Sequence, residues 1–144
     1  MISADTSTWI AFLQGERGDD ADLLDRALAD NLVVMSPVVL TELLSDPKLD
    51  AGIGRTLAGL PLLELRNGFW ERAGRLRAAV LAKRRKARLG DALIAQVCVD
   101  HQVALLTRNR DFRAFAAASS FCRCRPARSL ILLASVIWRS NSCN

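Results

Sequence analysis

The 144-residue chain reads as one α/β domain, a central and mainly parallel β-sheet flanked by helices on both faces. Three observations carry that reading. Short apolar runs such as Leu32–Met35 and Val103–Leu106 alternate with longer stretches whose apolar residues recur at helical spacing. The links between them are short, as in successive strand–helix–strand units. Hydrophobic residues make up 51% and charged residues 24%, a balance that can bury a core and excludes a disordered chain.

The elements follow in order. Met1–Ala4 is a short apolar strand that stops at Asp5-Thr6-Ser7-Thr8, and Trp9, Ile10, Phe12 and Leu13 continue as a helix ended by Gly15 and Gly18. Ala21–Ala29 is a helix with Leu23, Leu24, Ala27 and Leu28 on one stripe, and Leu32–Met35 is a buried strand. Ser36-Pro37 is an N-cap followed by proline at the first helical position. That helix turns Val39, Leu40, Leu43 and Leu44 inward and stops at Ser45-Asp46-Pro47. A weaker helix covers 49–58, a third strand 62–65, and the longest helix 68–88. Leu89-Gly90 breaks it, and Asp91 opens a helix with the stripe Leu93, Ile94, Val97, Cys98 and His101. Val103–Leu106 is a strand and Arg110–Ala118 a last helix.

Charge and cysteine narrow the class. The net charge is +5, yet residues 119–144 hold four arginines and no acid, leaving 16 basic against 15 acidic residues in 1–118. The basic pI therefore belongs mostly to the tail. Cys98 stands alone in the body, while Cys122, Cys124 and Cys143 lie near the end, so no disulfide framework is spelled out. One histidine, His101, cannot build a histidine metal site. Asp5 interrupts the opening apolar run too early for a signal peptide, and Leu130–Trp138 is shorter than the roughly 20 residues a membrane helix takes. The expected location is the cytoplasm, with no membrane partner.

Open α/β sheets gather functional groups beyond the carboxyl ends of their strands. Asp5 falls at such an end, and Asp111 lies shortly after another, in Thr107-Arg108-Asn109-Arg110-Asp111-Phe112. Asp91 stands at a helix start, and Glu42 interrupts the apolar segment from Val38 to Leu44. Each has a plain structural role open to it: Asp5, Asp91 and Asp111 as helix caps, Glu42 as a solvated helix residue. Four acids gathered in one cleft would repel one another unless a cation neutralised them. Oxygen-only ligands of this kind suit Mg²⁺ or Mn²⁺.

These segments resemble the PIN-domain ribonucleases, most closely the VapC toxins of bacterial toxin–antitoxin pairs. The matching stretches are Asp5-Thr6-Ser7-Thr8-Trp9-Ile10, Ser36-Pro37-Val38-Val39-Leu40-Thr41-Glu42-Leu43, Gly90-Asp91-Ala92-Leu93-Ile94-Ala95, and Leu105 through Phe112. They come in family order and spacing over residues 1 to about 116. The resemblance implies a PIN-like fold and places Asp5, Glu42, Asp91 and Asp111 at the family's acidic quartet. It implies Asp5 and Asp91 as principal ligands of Mg²⁺ or Mn²⁺, with Glu42 and Asp111 bound directly or through water. Ser7, Thr107 and Asn109 would support the carboxylates. Bound metal would neutralise the acids, acidify a water and polarise the scissile phosphate, leaving a 5′-phosphate and a 3′-hydroxyl. The resemblance further implies a VapB-type antitoxin, a homodimer, and promoter DNA bound only through the antitoxin complex. The competing reading is a PIN-like module that binds RNA or a partner without cutting.

Other phosphate chemistries fit poorly. There is no Gly-rich P-loop. An aspartyl-phosphate phosphatase wants an acid where Ser7 stands, and a receiver domain wants a phospho-acceptor aspartate where Leu65-Arg66-Asn67 stands. Lys83-Arg84-Arg85-Lys86-Ala87-Arg88 puts five cations in six residues, either a solvated helix end or a patch that guides RNA. Trp9 and Trp70 suit core or interface, His101 a structural place, and Cys98 a buried one.

Residues 119–144 change character at one point. The family pattern runs from the last helix into a final apolar strand, and Ser119–Pro126 does not look like one. Two origins are open: a genuine basic, Cys- and Ser-rich extension, or a frameshifted end, since out-of-frame GC-rich DNA tends to encode Arg, Ser, Cys and Pro. The abrupt change favours the frameshift. The domain is then 1–118, and the tail supplies no catalytic residue.

Overall fold

The computed structural model describes residues 1–119 and the short strand Ile131–Leu133. Residues 120–130 and 134–144, which include Cys122, Cys124, Cys143 and most of the apolar run ending at Trp138, lie outside the described residues. The order is β1 (Ile2–Ala4), α1 (Thr6–Leu13), α2 (Asp19–Ala29), α3 (Pro37–Leu44), α4 (Ala51–Ala58), α5 (Phe69–Ala82), α6 (Leu89–His101), β2 (Ala104–Thr107), α7 (Phe112–Ser119) and β3 (Ile131–Leu133). Among the described residues no helix is long and apolar enough to cross a membrane.

The sheet is parallel throughout, in the order β1-β2-β3, with Ala4 opposite Leu106 and Thr107 opposite Leu133. Two expected strands shrink to isolated parallel bridges. Ile2 pairs with Val33, and Met35 with Leu62, which extends the sheet beyond β1. From β1 the chain therefore steps outward through 33–35 to 62, then crosses back to the other side of β1 to form β2 and β3. Such a reversal makes a switch point, with the carboxyl ends of β1 and β2 beside the crevice.

Helices α1 to α4 pack among themselves, as do α5 to α7, and α3 meets α6 across the divide. Trp9, Phe69, Phe112 and Phe115 are the largest fully buried side chains, with Leu24, Met35, Leu105, Leu106, Val39, Val80 and Val97 between them. Each such side chain stabilises the fold by about 1.5–3 kcal/mol relative to exposure. Trp9 is thus core, as expected, while Trp70 is 64% exposed and stands edge-on to Phe69. Leu44, expected inward, is exposed, because α3 buries the stripe Val39 and Leu43.

The helix expected over 68–88 ends at Ala82. Arg84 takes a left-handed φ of 54°, and the basic run becomes a loop. Leu89 and Gly90 do not break a helix; they begin α6, whose N-cap is Arg88, so Asp91 lies inside the first turn. Cys98 is buried, and burial pushes its thiol up to about 12, which leaves it unreactive. His101 bonds through Nε2 with the Glu64 carbonyl at 2.8 Å, tying the end of α6 to the 62–65 segment.

Among the described residues, three ion pairs link distant segments. Arg72 of α5 grips Asp100 of α6 with two hydrogen bonds, of 3.0 and 2.6 Å. Arg108, just past β2, binds Asp20 through Nε and Nη2 and Glu16 through Nη1, tying the β2 edge to α2. Burial works against the Asp20 charge most strongly. The Arg108 hydrogen bond, the backbone N–H of Ala21 and the Arg108 charge outweigh it and hold the carboxyl below its ordinary 3.8. A carboxylate depressed in the fold stabilises it above the unfolded value and loses that effect as pH falls through the folded one. Acidification below 3.8 is therefore expected to lower the melting temperature, and Asp20→Asn to shrink that acid-dependent drop. Melting curves across an acid titration check it; an unchanged drop in Asp20→Asn counts against the pair.

Candidate active site

Asp5 is both a helix cap and a cleft residue. Its carboxylate accepts the Thr8 N–H at 2.9 Å, which caps α1, and its own N–H bonds to the Leu106 carbonyl at 3.0 Å. Both carboxylate oxygens also accept from the Ser7 hydroxyl at 2.9 Å. Thr107, at the end of β2, donates to Oδ2 at 2.6 Å. The Thr107 hydroxyl in turn accepts the Asn109 N–H at 3.0 Å, and Asn109 Oδ1 accepts the Asp111 N–H at 2.9 Å. A continuous chain of hydrogen bonds thus runs from β1 to the start of α7. Ser7, Thr107 and Asn109, expected beside the carboxylates, are there.

Glu42 stands exposed on α3, with the Thr6 hydroxyl donating to its carboxylate. It also leans on the first turn of α6. A Cβ added at Gly90 would lie 3.0 Å from Glu42 Oε1, so glycine leaves the space that lets the two elements meet there. Thr6 and Gly90 were missed as site residues in the sequence reading, although both adjoin a named acid. Arg88, which the sequence offers as part of a solvated helix end or of an RNA-guiding patch, also acts on Asp91 through its charge.

Asp91 gathers the cluster. Its Oδ2 is buried and has no hydrogen-bond partner among the described residues. Burial is the main force pushing its carboxyl above the ordinary range; Arg88 opposes the shift, while Asp111, Asp5 and Glu42 add to it. All three other acids therefore act on Asp91 at once. Asp5, Glu42 and Asp111 thus lie near enough to Asp91 for their charges to be felt there. Arg84, Arg85, Lys86 and Arg88 lie exposed on the loop ahead of α6.

Among the described residues, no three His, Cys, Asp or Glu side chains already close on a single point. The donors still fit a hard divalent cation: they are oxygens only, and one is a buried carboxylate oxygen with nothing bound to it.

The Thr107 hydroxyl is the joint between the two halves of the cleft. Thr107→Val keeps the shape and removes both bonds, leaving Asp5 Oδ2 and the Asn109 N–H short of a partner. Stability is expected to fall by about 1–3 kcal/mol. Urea melts of the native and variant chains check it.

Fold and site together define an α/β protein with acidic residues near the switch point of a parallel sheet. The PIN domain family model matches residues 2–118, and the chain belongs to the PIN domain family. PIN domains are generally nucleases. Among solved structures the chain is similar to FitAcB from Neisseria gonorrhoeae, with 20% sequence identity over 82% of this chain and 93% of that one and a TM-score of 0.60. At that identity the likeness speaks for the fold. No curated protein matches.

Proposed function

We propose that this chain is an Mg²⁺- or Mn²⁺-dependent endoribonuclease and the VapC-type toxin of a toxin–antitoxin pair. The observation that carries the catalytic part is the buried, partnerless oxygen of Asp91 in the combined field of Asp5, Glu42 and Asp111. Asp5 and Asp91 are the principal ligands, and Glu42 and Asp111 complete the set directly or through water. When bound, the cation offsets the carboxylate charge and polarises the scissile phosphate. Ser7 and Thr107 hold the Asp5 carboxylate in one orientation, and Asn109 fixes the backbone that presents Asp111. Glu42, tethered by Thr6, is free on its exposed side to accept a proton from an attacking water.

Structured RNAs incubated with the purified protein and Mg²⁺ or Mn²⁺ should be cut, and chelator should stop the cutting. Full-rate cleavage in Asp5→Asn would sink the assignment. Clean RNA binding with no cleavage under any divalent ion would favour a binding module instead.

The toxin role brings a VapB-type antitoxin, a homodimer, and promoter DNA bound through the antitoxin complex. A basic side chain of the antitoxin pairing with the carboxylates would silence the cleft. Expression alone should arrest growth, and the neighbouring small reading frame should relieve it; harmless expression of folded protein counts against the role. We further propose that 1–118 is the nuclease domain and 119–144 a frameshifted end. Truncation after Ala118 also removes β3, which pairs with β2. Surviving cleavage would place the nuclease in 1–118, and lost cleavage with the fold retained would show that the tail functions. Resequencing of the gene decides the frame.

A further inference from the structure

We propose that the loop after α5 is a rail for the phosphates of single-stranded RNA next to the scissile bond, with Arg84, Arg85, Lys86 and Arg88 as its contacts. The inference rests on the nuclease reading of the acid cluster.

Arg84, Arg85 and Lys86 are bound by no other side chain among the described residues, and Arg88 acts on Asp91 only through its charge. Among the described residues, Arg26, Arg72, Arg77 and Arg108 bond to backbone or carboxylate oxygens, and Arg17 faces Asp22. Arg84, Arg85, Lys86 and Arg88 make no ion pair and no side-chain hydrogen bond, and all four are exposed. No acid stands among them.

The loop is also held in place. Its Arg84 N–H bonds to the Leu81 carbonyl at 2.8 Å, and the left-handed φ of 54° there turns the chain out of α5. Ala87 is buried, and the Arg77 guanidinium donates to its carbonyl at 2.9 Å. Two ends are thus pinned while the cations between them face solvent. A fixed array loses less freedom on binding than a floppy one.

Its position supplies the reason for RNA. Arg88 is the N-cap of α6, and Asp91 lies in the first turn of that helix, so the rail ends beside the acid cluster. A polyanion approaching four carboxylates meets like charge, and a divalent ion offsets only part of it. Cations beside the cleft offset the rest and align the strand with the reacting phosphate. An acidic protein could meet the same charges, but it would have no need of the neighbouring carboxylates.

The test separates binding from cutting. Full-length Asp91→Asn protein is titrated without divalent ions into a labelled single-stranded RNA, over a salt series from about 50 to 200 mM. Adding Arg84→Gln, Arg85→Gln and Lys86→Gln should weaken binding about ten-fold or more at the lowest salt. It should also flatten the log–log salt slope by about 2, near 0.7 for each lost phosphate contact. Arg84→Lys with Arg85→Lys should keep both affinity and slope. In the otherwise native chain, the triple variant should raise KM and leave the rate at saturating RNA unchanged. Unchanged affinity and slope would overturn the rail and leave the loop to an acidic protein. So would a lost rate at saturating RNA with intact binding. Native protein that binds RNA through these residues but never cleaves it would instead overturn the nuclease reading and leave the rail standing.

Discussion

Asp91→Asn is expected to abolish RNA cleavage while making the metal-free protein more stable. The cleavage loss should be about 10³-fold or more, because the change removes one ligand charge and weakens the whole electrostatic arrangement at the phosphate. The stability gain follows from the same geometry. Burial and the charges of Asp111, Asp5 and Glu42 push the Asp91 carboxyl up, against the pull of Arg88. A raised aspartate means that the fold holds the proton more tightly than the unfolded chain does. Ionisation at neutral pH therefore disfavours the fold, and this group alone makes stability fall as pH rises from its unfolded value, near 3.8, through its folded one. Asparagine carries no charge and avoids that cost. With chelator present at neutral pH, Asp91→Asn should melt higher than the native chain. Adding Mg²⁺ or Mn²⁺ should raise the native melting temperature and move the variant much less. A variant that melts lower in chelator would show that Asp91 is a structural residue rather than a strained ligand.

The same tension explains which parts of the site were readable in the sequence. Asp5 ends an apolar run and precedes helix-forming residues, so its place at a strand end follows from local pattern alone. Thr107 and Asn109 are polar residues just past a strand, where polar groups face a crevice rather than a core. Asp91 was readable as a helix-start acid, but its position inside the turn was not, because nothing local shows that Arg88 rather than Asp91 leaves the helix. The basic run misled for a related reason. Arg and Lys are good helix formers, Ala the best, and no Gly or Pro interrupts 75–88, so propensity extends α5 to the end. Burial of Ala87 and its bond to Arg77 stop the helix instead, and both are tertiary. The Arg108–Asp20 pair spans 88 residues and leaves no local trace. The strands at 32–35 and 62–65 were visible as apolar runs, yet they contribute only isolated bridges, two from the first and one from the second, since pairing length depends on neighbours that sequence does not order.

Phe112→Ala is expected to have the largest effect on stability. Phe112 is 1% exposed at the start of α7, its ring centroid 6.0 Å from that of Phe115, and α7 packs against α5 and α6. Removing a buried phenylalanine ring takes away its transfer free energy and leaves a cavity that rigid neighbours only partly fill. About 3–5 kcal/mol should be lost, a large share of the roughly 5–15 kcal/mol that holds a typical domain together. The effect should reach the cleft as well. Asp111 is joined to Phe112 through the backbone, and its N–H is held by Asn109 Oδ1, so the ring is the nail that fixes this side of the site. Phe112→Leu refills most of the volume and should lose only about 1–1.5 kcal/mol. Urea melts of both variants give the stability order, and cleavage measured well below each melting midpoint separates misplacement from unfolding. If Asp111 depends on this anchor, Phe112→Ala should cleave more slowly than Phe112→Leu even where both are fully folded. Equal rates there would mean that Asn109 alone sets the position of Asp111.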